Sequence, residues 1–233
     1  MNAVVTGATK GIGREISIKL AVAGYNLAVC ARKQSEIESL RNTLTKLNPS
    51  ITVAGLSTDC TDARQVTDFA NFVQQHFEHV DVLINNVGMF VPGSILDEDE
   101  SDMLQQFEVN FHTAYSMSRI FGRQMRSRRY GHIINLGSIA SVNPVAEAGS
   151  YTVTKFAMHG LTKVLRLEMM QHNVKVTEIL PGSTLTSSWE GTSVDVSRFV
   201  SAEDVANAVI FCLSGSAGSN PDEIRITPLL GQI

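Results

Sequence analysis

The feature that most constrains the fold is an alternation of short apolar segments, rich in β-branched residues, with longer segments of helical period. Near-continuous apolar strands separated by helices are typical of a parallel sheet that is buried on both faces. We therefore predict an α/β fold, a doubly wound parallel sheet of about seven strands with helices on both faces. The predicted strands are 3–6, 26–31, 52–56, 82–85, 131–136, 174–180 and 223–226, and the predicted helices lie near 11–23, 34–47, 62–77, 100–128, 150–171 and 202–213.

Composition and charge exclude several other classes of protein. The net charge is −4, which disfavours a nucleic-acid partner because such proteins usually present a basic face. No apolar run approaches the roughly 18 residues needed to span a membrane, and no signal-peptide pattern precedes the first strand. The three cysteines are widely spaced, as in a reducing compartment. We expect one cytoplasmic domain over residues 1–233, with no membrane partner, and we assign no metal ligands.

A glycine-rich turn follows the first predicted strand and opens onto a helix, in the order Thr6-Gly7-Ala8-Thr9-Lys10-Gly11-Ile12-Gly13. A pyrophosphate at a helix N-terminus needs backbone N–H groups that no side chain blocks. Gly7 would permit the tight turn, Gly11 the close approach of the phosphate, and Gly13 the packing of helix on sheet. An ordinary βα connection is the alternative. The position between strand and helix favours a dinucleotide site and thus a Rossmann fold.

The second predicted strand ends in Cys30-Ala31-Arg32-Lys33, without an acidic residue. A carboxylate at this position would bind the ribose 2′-hydroxyl and select NAD. Arg32, assisted by Lys10 or Lys33, would instead suit a 2′-phosphate, unless Arg32 only lies in solvent at the strand end. We predict a preference for NADP(H).

Polar residues also follow the third and fourth predicted strands. Asp59 could serve the cofactor, or it could be the N-cap of the helix that begins near Asp62. In Asn85-Asn86-Val87-Gly88, the paired amides could bridge neighbouring strands, and Gly88 would let the backbone approach a ligand.

Tyr151 and Lys155 lie four positions apart in a helical pattern and so share one helical face. Tyrosine is a poor base at pH 7 because its pKa is near 10, but an adjacent ammonium favours the phenolate and lowers that pKa. Such a phenol could exchange a proton with a carbonyl oxygen. Ser138 ends the fifth strand, where it could bind a substrate oxygen or cap a turn. Asn110 interrupts a helical pattern and could carry a kink or a bound water, or be a tolerated polar residue.

At these residues the sequence resembles the short-chain dehydrogenase/reductase family, in its short single-domain branch, over essentially the whole chain. The segment 6–13 is similar to that branch's cofactor signature, and 85–88 to its Asn-Asn-Ala-Gly, with Val87 in place of alanine. The resemblance implies that Asp59 contacts adenine. It also implies that the segment from Pro181 to Thr186 holds the nicotinamide carboxamide.

The resemblance further implies four catalytic residues: Asn110, Ser138, Tyr151 and Lys155. Tyr151 would be the acid/base, Lys155 would bind ribose and lower the tyrosine pKa, Ser138 would orient the substrate oxygen, and Asn110 would support a proton relay through water. The residues predicted to bind the cofactor are Gly7, Thr9, Lys10, Gly11, Ile12, Gly13, Arg32, Lys33, Asp59, Cys60, Asn86, Val87, Gly88, Tyr151, Lys155, Pro181, Gly182, Thr184 and Thr186.

The substrate should bind in the loops 89–98, 138–149 and 182–200, because ligands of such sheets lie beyond the carboxyl ends of the strands. We expect the pocket walls to come from 89–91, 139–148 and 185–199. Glu147, Trp189 and Glu190 are possible specificity elements. His159, two helical turns after Tyr151, is expected to pack or to contact another subunit rather than to act in catalysis.

Together these features predict an NADPH-dependent reductase that transfers a hydride to a ketone or aldehyde of a small molecule. The alternatives are an alcohol dehydrogenase that works toward oxidation, and a non-catalytic cofactor-binding regulator, which the complete catalytic set disfavours. The family resemblance implies a homodimer or homotetramer through the helices near 100–128 and 150–171. The ending 222–233 is similar to that of sepiapterin-reductase-like members rather than to the longer ending of 3-oxoacyl-carrier-protein reductases.

Overall fold

The computed structural model describes residues 1–186, 189 and 191–233. Its strands form one seven-stranded sheet, and all neighbouring strands run parallel. The predicted parallel sheet is therefore confirmed. The strands are β1 (Asn2–Thr6), β2 (Asn26–Ala31), β3 (Val53–Ser57), β4 (Val82–Asn85), β5 (Gly131–Leu136), β6 (Val174–Pro181) and β7 (Glu223–Ile226), and their spatial order is β3-β2-β1-β4-β5-β6-β7.

Helices cover both faces of this sheet. One apolar layer contains side chains of the first, second and last helices, and the other contains side chains of the third, fifth and sixth. No helix formed by the described residues is both long and apolar enough to cross a membrane. The helices are α1 (Gly11–Val22), α2 (Gln34–Leu47), α3 (Ala63–His76), α4 (Glu100–Phe107), α5 (Thr113–Arg128), α6 (Gly149–Met170) and α7 (Ala202–Ser214).

The two apolar layers explain why the strands read as continuous apolar runs. In β1, Ala3 and Val5 contact the layer of α1, α2 and α7, while Val4 contacts the layer of α3, α5 and α6. All three side chains are fully buried. Because successive side chains of a strand point to opposite faces, a sheet covered on both sides needs apolar residues at every position.

The connection order places a crevice at one edge of the sheet. β2 and β3 lie on one side of β1. The chain then crosses back, so that β4 pairs with β1 on its other side. At such a reversal the loops after the strands diverge and leave room for a ligand. The loops after β1, β2, β4, β5 and β6 meet at this edge.

A π-helical segment, Glu108–His112, separates α4 from α5 where the sequence pattern predicts one helix. Asn110 lies at its centre and is fully buried. Single π-helical turns are rare and are frequent at functional sites, because the extra residue changes the direction of the side chains around it. The local irregularity considered for Asn110 is therefore present.

Candidate active site

A cleft of about 980 Å³ runs along the carboxyl edge of the sheet. It extends from the glycine-rich turn after β1 to the first turn of α6 and to the segment after β6. All the residues predicted to bind the cofactor line it. Its other lining residues are Ala31, Glu36, Thr58, Thr61, Met89, Phe90, Gln105, Val109, Leu136, Gly137, Ser138, Ile139, Ala140, Val145, Ala148, Ser183, Trp189, Gln232 and Ile233.

The glycine-rich turn has the backbone geometry that a phosphate cradle requires. Gly7 and Gly11 have φ angles of +65° and +50°, a region that side chains other than glycine rarely adopt. A Cβ at Gly13 would lie 2.3 Å from the carbonyl oxygen of Gly7, so α1 approaches the turn closely only because this residue is glycine. The N-terminus of α1 thus faces the cleft, and an anion would be stabilised by its backbone N–H groups there.

The amides after β4 tie this turn to the middle of the sheet. Asn86 Nδ2 donates to the carbonyl oxygens of Thr6 (2.8 Å) and Gly7 (3.0 Å), and the backbone N–H groups of Asn86 and Val87 donate to Thr6 Oγ1. On the other side, Asn85 Nδ2 donates to Asn135 Oδ1 at 2.8 Å. The paired amides therefore bridge β4 to both of its neighbours, as the sequence suggested.

Basic side chains lie at the end of the cleft beside β2, together with the carboxylate of Glu36. Lys10 Nζ and Lys33 Nζ lie 3.3 and 3.7 Å from Glu36 Oε1, and Thr9 Oγ1 donates to Glu36 Oε2 at 3.1 Å. Burial raises the pKa of the Glu36 carboxyl, but the hydrogen bonds from Thr9 and Lys10 outweigh it and hold that pKa below its usual value.

Glu36 was not predicted, because only the fold brings it beside Lys10. Among the ion pairs formed by the described residues none involves Arg32, which is exposed at the cleft.

Asp59 is not the N-cap of α3, so that alternative is wrong. The N-cap is Asp62, whose side chain accepts hydrogen bonds from the backbone N–H groups of Arg64 and Gln65. Asp59 Oδ1 accepts instead from the backbone N–H and the hydroxyl of Thr61 (3.0 and 2.9 Å). The Asp59 side chain therefore shapes the loop after β3 at the wall of the cleft, next to the buried Cys60.

Tyr151 and Lys155 lie at the other end of the cleft, on the first turns of α6. The Lys155 side chain is buried, its Nζ donates to the carbonyl oxygen of Leu136 at 3.0 Å, and it lies 5.6 Å from the centre of the Tyr151 ring. The Tyr151 ring packs edge-to-face on Phe90, with ring centres 5.1 Å apart. A phenol with an ammonium group near its ring therefore lies at the cleft, where it could exchange a proton with a bound ligand.

Ser138 caps a turn, as one of its two predicted roles requires. Its Oγ accepts a hydrogen bond from Ala140 N (3.1 Å), and Ser141 Oγ accepts from Ser138 N (3.1 Å), which caps the short 3-10 turn Ile139–Ser141. The same residue lines the cleft with Tyr151 and Lys155. Since a hydroxyl can donate while it accepts, Ser138 can hydrogen-bond a substrate oxygen without losing its cap.

Asn110 lies behind the cleft wall rather than in it. Its side chain hydrogen-bonds both backbone polar groups of Met89, and its Nδ2 also donates to Thr154 Oγ1 at 3.0 Å. The π-helical segment therefore connects the loop after β4 to α6. Of the four predicted catalytic residues, Ser138, Tyr151 and Lys155 line the cleft, and Asn110 supports the wall next to them.

A second connection holds the loop after β4 against the start of α6. The Glu98 carboxylate accepts hydrogen bonds from the hydroxyl and the backbone N–H of Ser150, directly before Tyr151. Gly93 pairs with this region through Gly149 N to Gly93 O (2.8 Å) and Gly93 N to Glu147 O (2.9 Å). Nothing in the sequence pointed to Glu98, because the two segments it joins are remote in the chain.

The segment after β6, which is predicted to hold the nicotinamide, contacts other parts of the cleft. Thr186 Cγ2 lies 3.1 Å from the Cβ position of Gly11, so the loop after β6 approaches the glycine-rich turn. Thr184 Oγ1 donates to the carbonyl oxygen of Gly182 at 2.9 Å. Gln232 was not predicted here, yet its Oε1 accepts from Ser183 N at 2.8 Å and it lines the cleft.

The residues that line the cleft match the predicted walls of the substrate pocket only in part. Met89, Phe90 and four residues of 139–148 line the cleft, whereas Glu147 is exposed and does not. Its backbone carbonyl accepts a hydrogen bond from Gly93 N. Trp189 packs on Phe199 with ring centres 4.9 Å apart and also lines the cleft. Glu190 lies outside the described residues.

Comparison with known proteins gives one consistent result. A sequence model described as short chain dehydrogenase matches residues 1–196. An uncharacterized oxidoreductase of Staphylococcus epidermidis is 30% identical over 227 residues, which are 97% of this chain and 96% of that protein.

Solved structures agree with this result. A metagenomic short-chain oxidoreductase in complex with NADP is 27% identical with a TM-score of 0.85, covering 98% of this chain and 96% of that one. L-sorbose reductase from Gluconobacter frateurii, complexed with NADPH and L-sorbose, is 25% identical with a TM-score of 0.89, covering 97% and 95%.

Proposed function

The chain belongs to the short-chain dehydrogenase family, and on that premise we propose that it is an NADPH-dependent reductase of small ketones or aldehydes. The observation that carries the proposal is that Ser138, Tyr151 and Lys155 line the same cleft as the glycine-rich turn. A dinucleotide bound across this edge would reach from the turn to the phenol. The oxidoreductase class rests on the family, and the direction and substrate are the proposed part.

The residues present fit a dinucleotide. A Cβ at Gly7 would lie 3.0 Å from Val87 Cα, and one at Gly13 would lie 2.3 Å from Gly7 O, so glycine at both positions lets the turn, α1 and the loop after β4 pack closely beside the cleft. Gly7, Gly11 and Gly13 would hold the pyrophosphate, and the segment from Pro181 to Thr186 would hold the nicotinamide carboxamide. When bound, the nicotinamide supplies the hydride.

The phosphate-bearing form of the coenzyme is supported by the charges at the end of β2. Arg32, Lys33 and Lys10 line the cleft there, and no acidic residue occupies the strand end. A guanidinium and two ammonium groups suit a 2′-phosphate. Two solved relatives are complexes with NADP and NADPH. The Glu36 carboxylate lies among these groups and partly neutralises the two lysines.

In the proposed reaction, Ser138 donates a hydrogen bond to the carbonyl oxygen of the substrate and Tyr151 donates its proton to the same oxygen as negative charge develops there. Lys155, held by Leu136 O, keeps a positive charge beside the phenol. Donors that are already positioned at a developing oxyanion supply most of the electrostatic stabilisation of such a transition state. In the reverse direction Tyr151 would accept the proton of an alcohol.

The test is a substrate panel with both coenzymes. Oxidation of NADPH and NADH would be followed against ketoses, diketones, β-ketoacyl thioesters, steroids and pterins, with the matching alcohols and NADP⁺ for the reverse direction. We expect carbonyl-dependent oxidation of NADPH in preference to NADH. Coenzyme binding without turnover on any carbonyl or alcohol would contradict the proposal and favour a binding protein.

We also propose that the chain forms a homodimer or homotetramer through α6. Val153, Phe156, Val164 and Leu167 are exposed at helical spacing and form one apolar stripe on this helix. A contiguous apolar face of this kind marks an interaction surface. Light scattering on the size-exclusion peak should give an even multiple of the chain mass, and Leu167→Glu should reduce it; a monomer at micromolar concentration would contradict the proposal.

A further inference from the structure

Two acidic residues lie side by side on neighbouring strands, next to the cleft-lining residue Gly137. Glu178 of β6 and Glu223 of β7 are register partners in the parallel ladder, so their side chains leave the same face of the sheet. Glu178 is 1% exposed, whereas the Glu223 side chain is 26% exposed. Two adjacent carboxylates repel each other, and more strongly away from water, so this arrangement needs a compensating positive charge.

A histidine from α6 completes the cluster. His159 Nδ1 lies 2.6 Å from Glu178 Oε2. One potential ligand atom from each of His159, Glu178 and Glu223 lies within 4.8 Å of the other two. Ligand atoms of a tetrahedral zinc ion are roughly 3.4 Å apart, given bond lengths of about 2.1 Å. Small side-chain rotations would therefore bring the three atoms to coordination distance.

A second observation is independent of this spacing. Glu178 Oε1 is buried and, within the described part of the chain, has no hydrogen-bond partner. A buried polar atom without a partner costs free energy, so such atoms are rare and call for an explanation. A cation bound at this carboxylate would offset its buried negative charge.

The ion pair with His159 alone does not account for the cluster. His159 Nδ1 contacts Glu178 through Oε2, and Arg225 Nε donates to Glu223 Oε1 at 2.6 Å, so neither group reaches the buried Glu178 Oε1. Lys155 is the other charged group near Glu178, but its Nζ donates to Leu136 O.

We propose that His159, Glu178 and Glu223 bind a divalent transition-metal ion at the β6–β7 end of the sheet. One imidazole nitrogen and two carboxylates suit Zn²⁺, and also Co²⁺ or Mn²⁺, better than Ca²⁺ or Mg²⁺, which prefer oxygen ligands alone. Three protein ligands leave a coordination position for water. The ligands are remote from one another in sequence, so the spacing could not reveal them, and the absence of metal ligands expected from the sequence would then be wrong.

The experiment is a metal titration of the full chain after treatment with a chelator. Isothermal titration with ZnCl₂ should give one site per chain, and CoCl₂ should produce the visible absorption of a tetrahedral cobalt site. Glu223→Gln and His159→Gln should each weaken Zn²⁺ binding by at least tenfold. Glu168→Gln, an exposed carboxylate on the same helix α6, is the matched control and should bind Zn²⁺ like the parent.

Glu223 is the primary variant because it is partly exposed, so its substitution should leave the fold intact; circular dichroism would verify this. Absence of stoichiometric Zn²⁺ and Co²⁺ binding by the parent would overturn the proposal. Unchanged binding by a folded Glu223→Gln variant would do so too, because the ion would then lie elsewhere. Neither readout depends on a substrate or on turnover, so the outcome is separate from that of the proposed reductase function.

Discussion

Asn110 and Met89 form a reciprocal pair of hydrogen bonds: Met89 N donates to Asn110 Oδ1 at 2.8 Å, and Asn110 Nδ2 donates to Met89 O at 3.0 Å. A side-chain amide thus binds both polar groups of one backbone residue, as a neighbouring strand would. The π-helical turn is what points this amide at the loop after β4. Met89 and Phe90, which line the cleft, depend on it for their position.

Asn110→Ala should therefore destabilise the protein. It removes three hydrogen bonds of a fully buried side chain and leaves the polar groups of Met89 without their partner. Unsatisfied buried groups cost about 1–3 kcal/mol each, so we expect a loss of about 2–4 kcal/mol in the free energy of unfolding, measured by urea denaturation. A loss below about 0.5 kcal/mol would show that the loop does not need this amide.

Tyr151→Phe should abolish most turnover and leave coenzyme binding nearly unchanged. The variant keeps the ring that packs on Phe90 but lacks the hydroxyl that would donate the proton. Loss of a general acid lowers rates by about 10²–10⁴-fold. Initial rates on the best carbonyl substrate, with NADPH binding followed by fluorescence, separate the two effects. Near-parental turnover would contradict the assigned role.

Glu36→Gln should strengthen binding of NADPH more than that of NADH. The substitution removes the negative charge that Lys10 and Lys33 share, and leaves these cations for a 2′-phosphate. Because Lys10 and Lys33 are largely exposed, the effect is screened, and we expect a threefold to tenfold lower Kd for NADPH. Arg32→Glu should act in the opposite direction. Equal changes for both coenzymes would mean that the 2′-phosphate binds elsewhere.

Two glycine substitutions should have opposite effects on the stability of the protein. A Cβ in Gly13→Ala would lie 2.3 Å from Gly7 O, so the variant must separate α1 from the turn and should lose coenzyme binding and stability. Gly218→Ala, in the loop after α7, is the control, because nothing lies within 4 Å of that Cβ position. It should leave NADPH binding unchanged and stabilise the protein by up to about 1 kcal/mol, because alanine has fewer conformations than glycine in the unfolded chain. Thermal unfolding and NADPH titration measure both.

Acid should destabilise the protein through His132. Thr177 Oγ1 donates its proton to Pro221 O, so it accepts from His132 Nε2, which fixes the neutral imidazole with its proton on Nε2. Burial, with a smaller effect of Lys175, lowers the pKa of His132 from 6.5 to about 4. Protonation therefore favours the unfolded chain, so this contribution is fully present above pH 6.5 and is lost as the pH falls toward 4.

The expected loss is about 3 kcal/mol, from about 1.4 kcal/mol per pKa unit. Urea denaturation at pH 7 and pH 4.5 measures it, with His132→Gln as the comparison variant. The variant should have a flatter dependence on pH between these values. An identical dependence in both proteins would assign the acid sensitivity to other groups.

Sequence predicted the ends of the strands and of most helices to within one or two residues, because strands buried on both faces give long apolar runs with clear breaks. The exception is the helix expected near 100–128, which the π-helical segment Glu108–His112 divides into α4 and α5. The glycine-rich turn and the Tyr151–Lys155 pair could be predicted as well, since each is a local pattern on a single element. Contacts between residues on different elements could not be predicted. Glu36 meets Lys10, and Glu178 meets His159, only through the register of the sheet and the packing of helices on it.

The exclusively parallel sheet has a consequence for how the chain acquires its cleft. Among the described residues, no two neighbouring strands are joined by a hairpin. β1 pairs with β4, although β2 and β3 come between these two strands in the sequence and lie on the opposite side of β1 in the sheet. Contacts between residues so distant in sequence form slowly, because a large loop must close before any of them is gained. Since the cleft takes residues from the turn after β1 and from the segment after β6, it cannot exist in a half-folded chain. Nucleotide binding should therefore appear among the last events of refolding, so its recovery could be used to follow the completion of refolding.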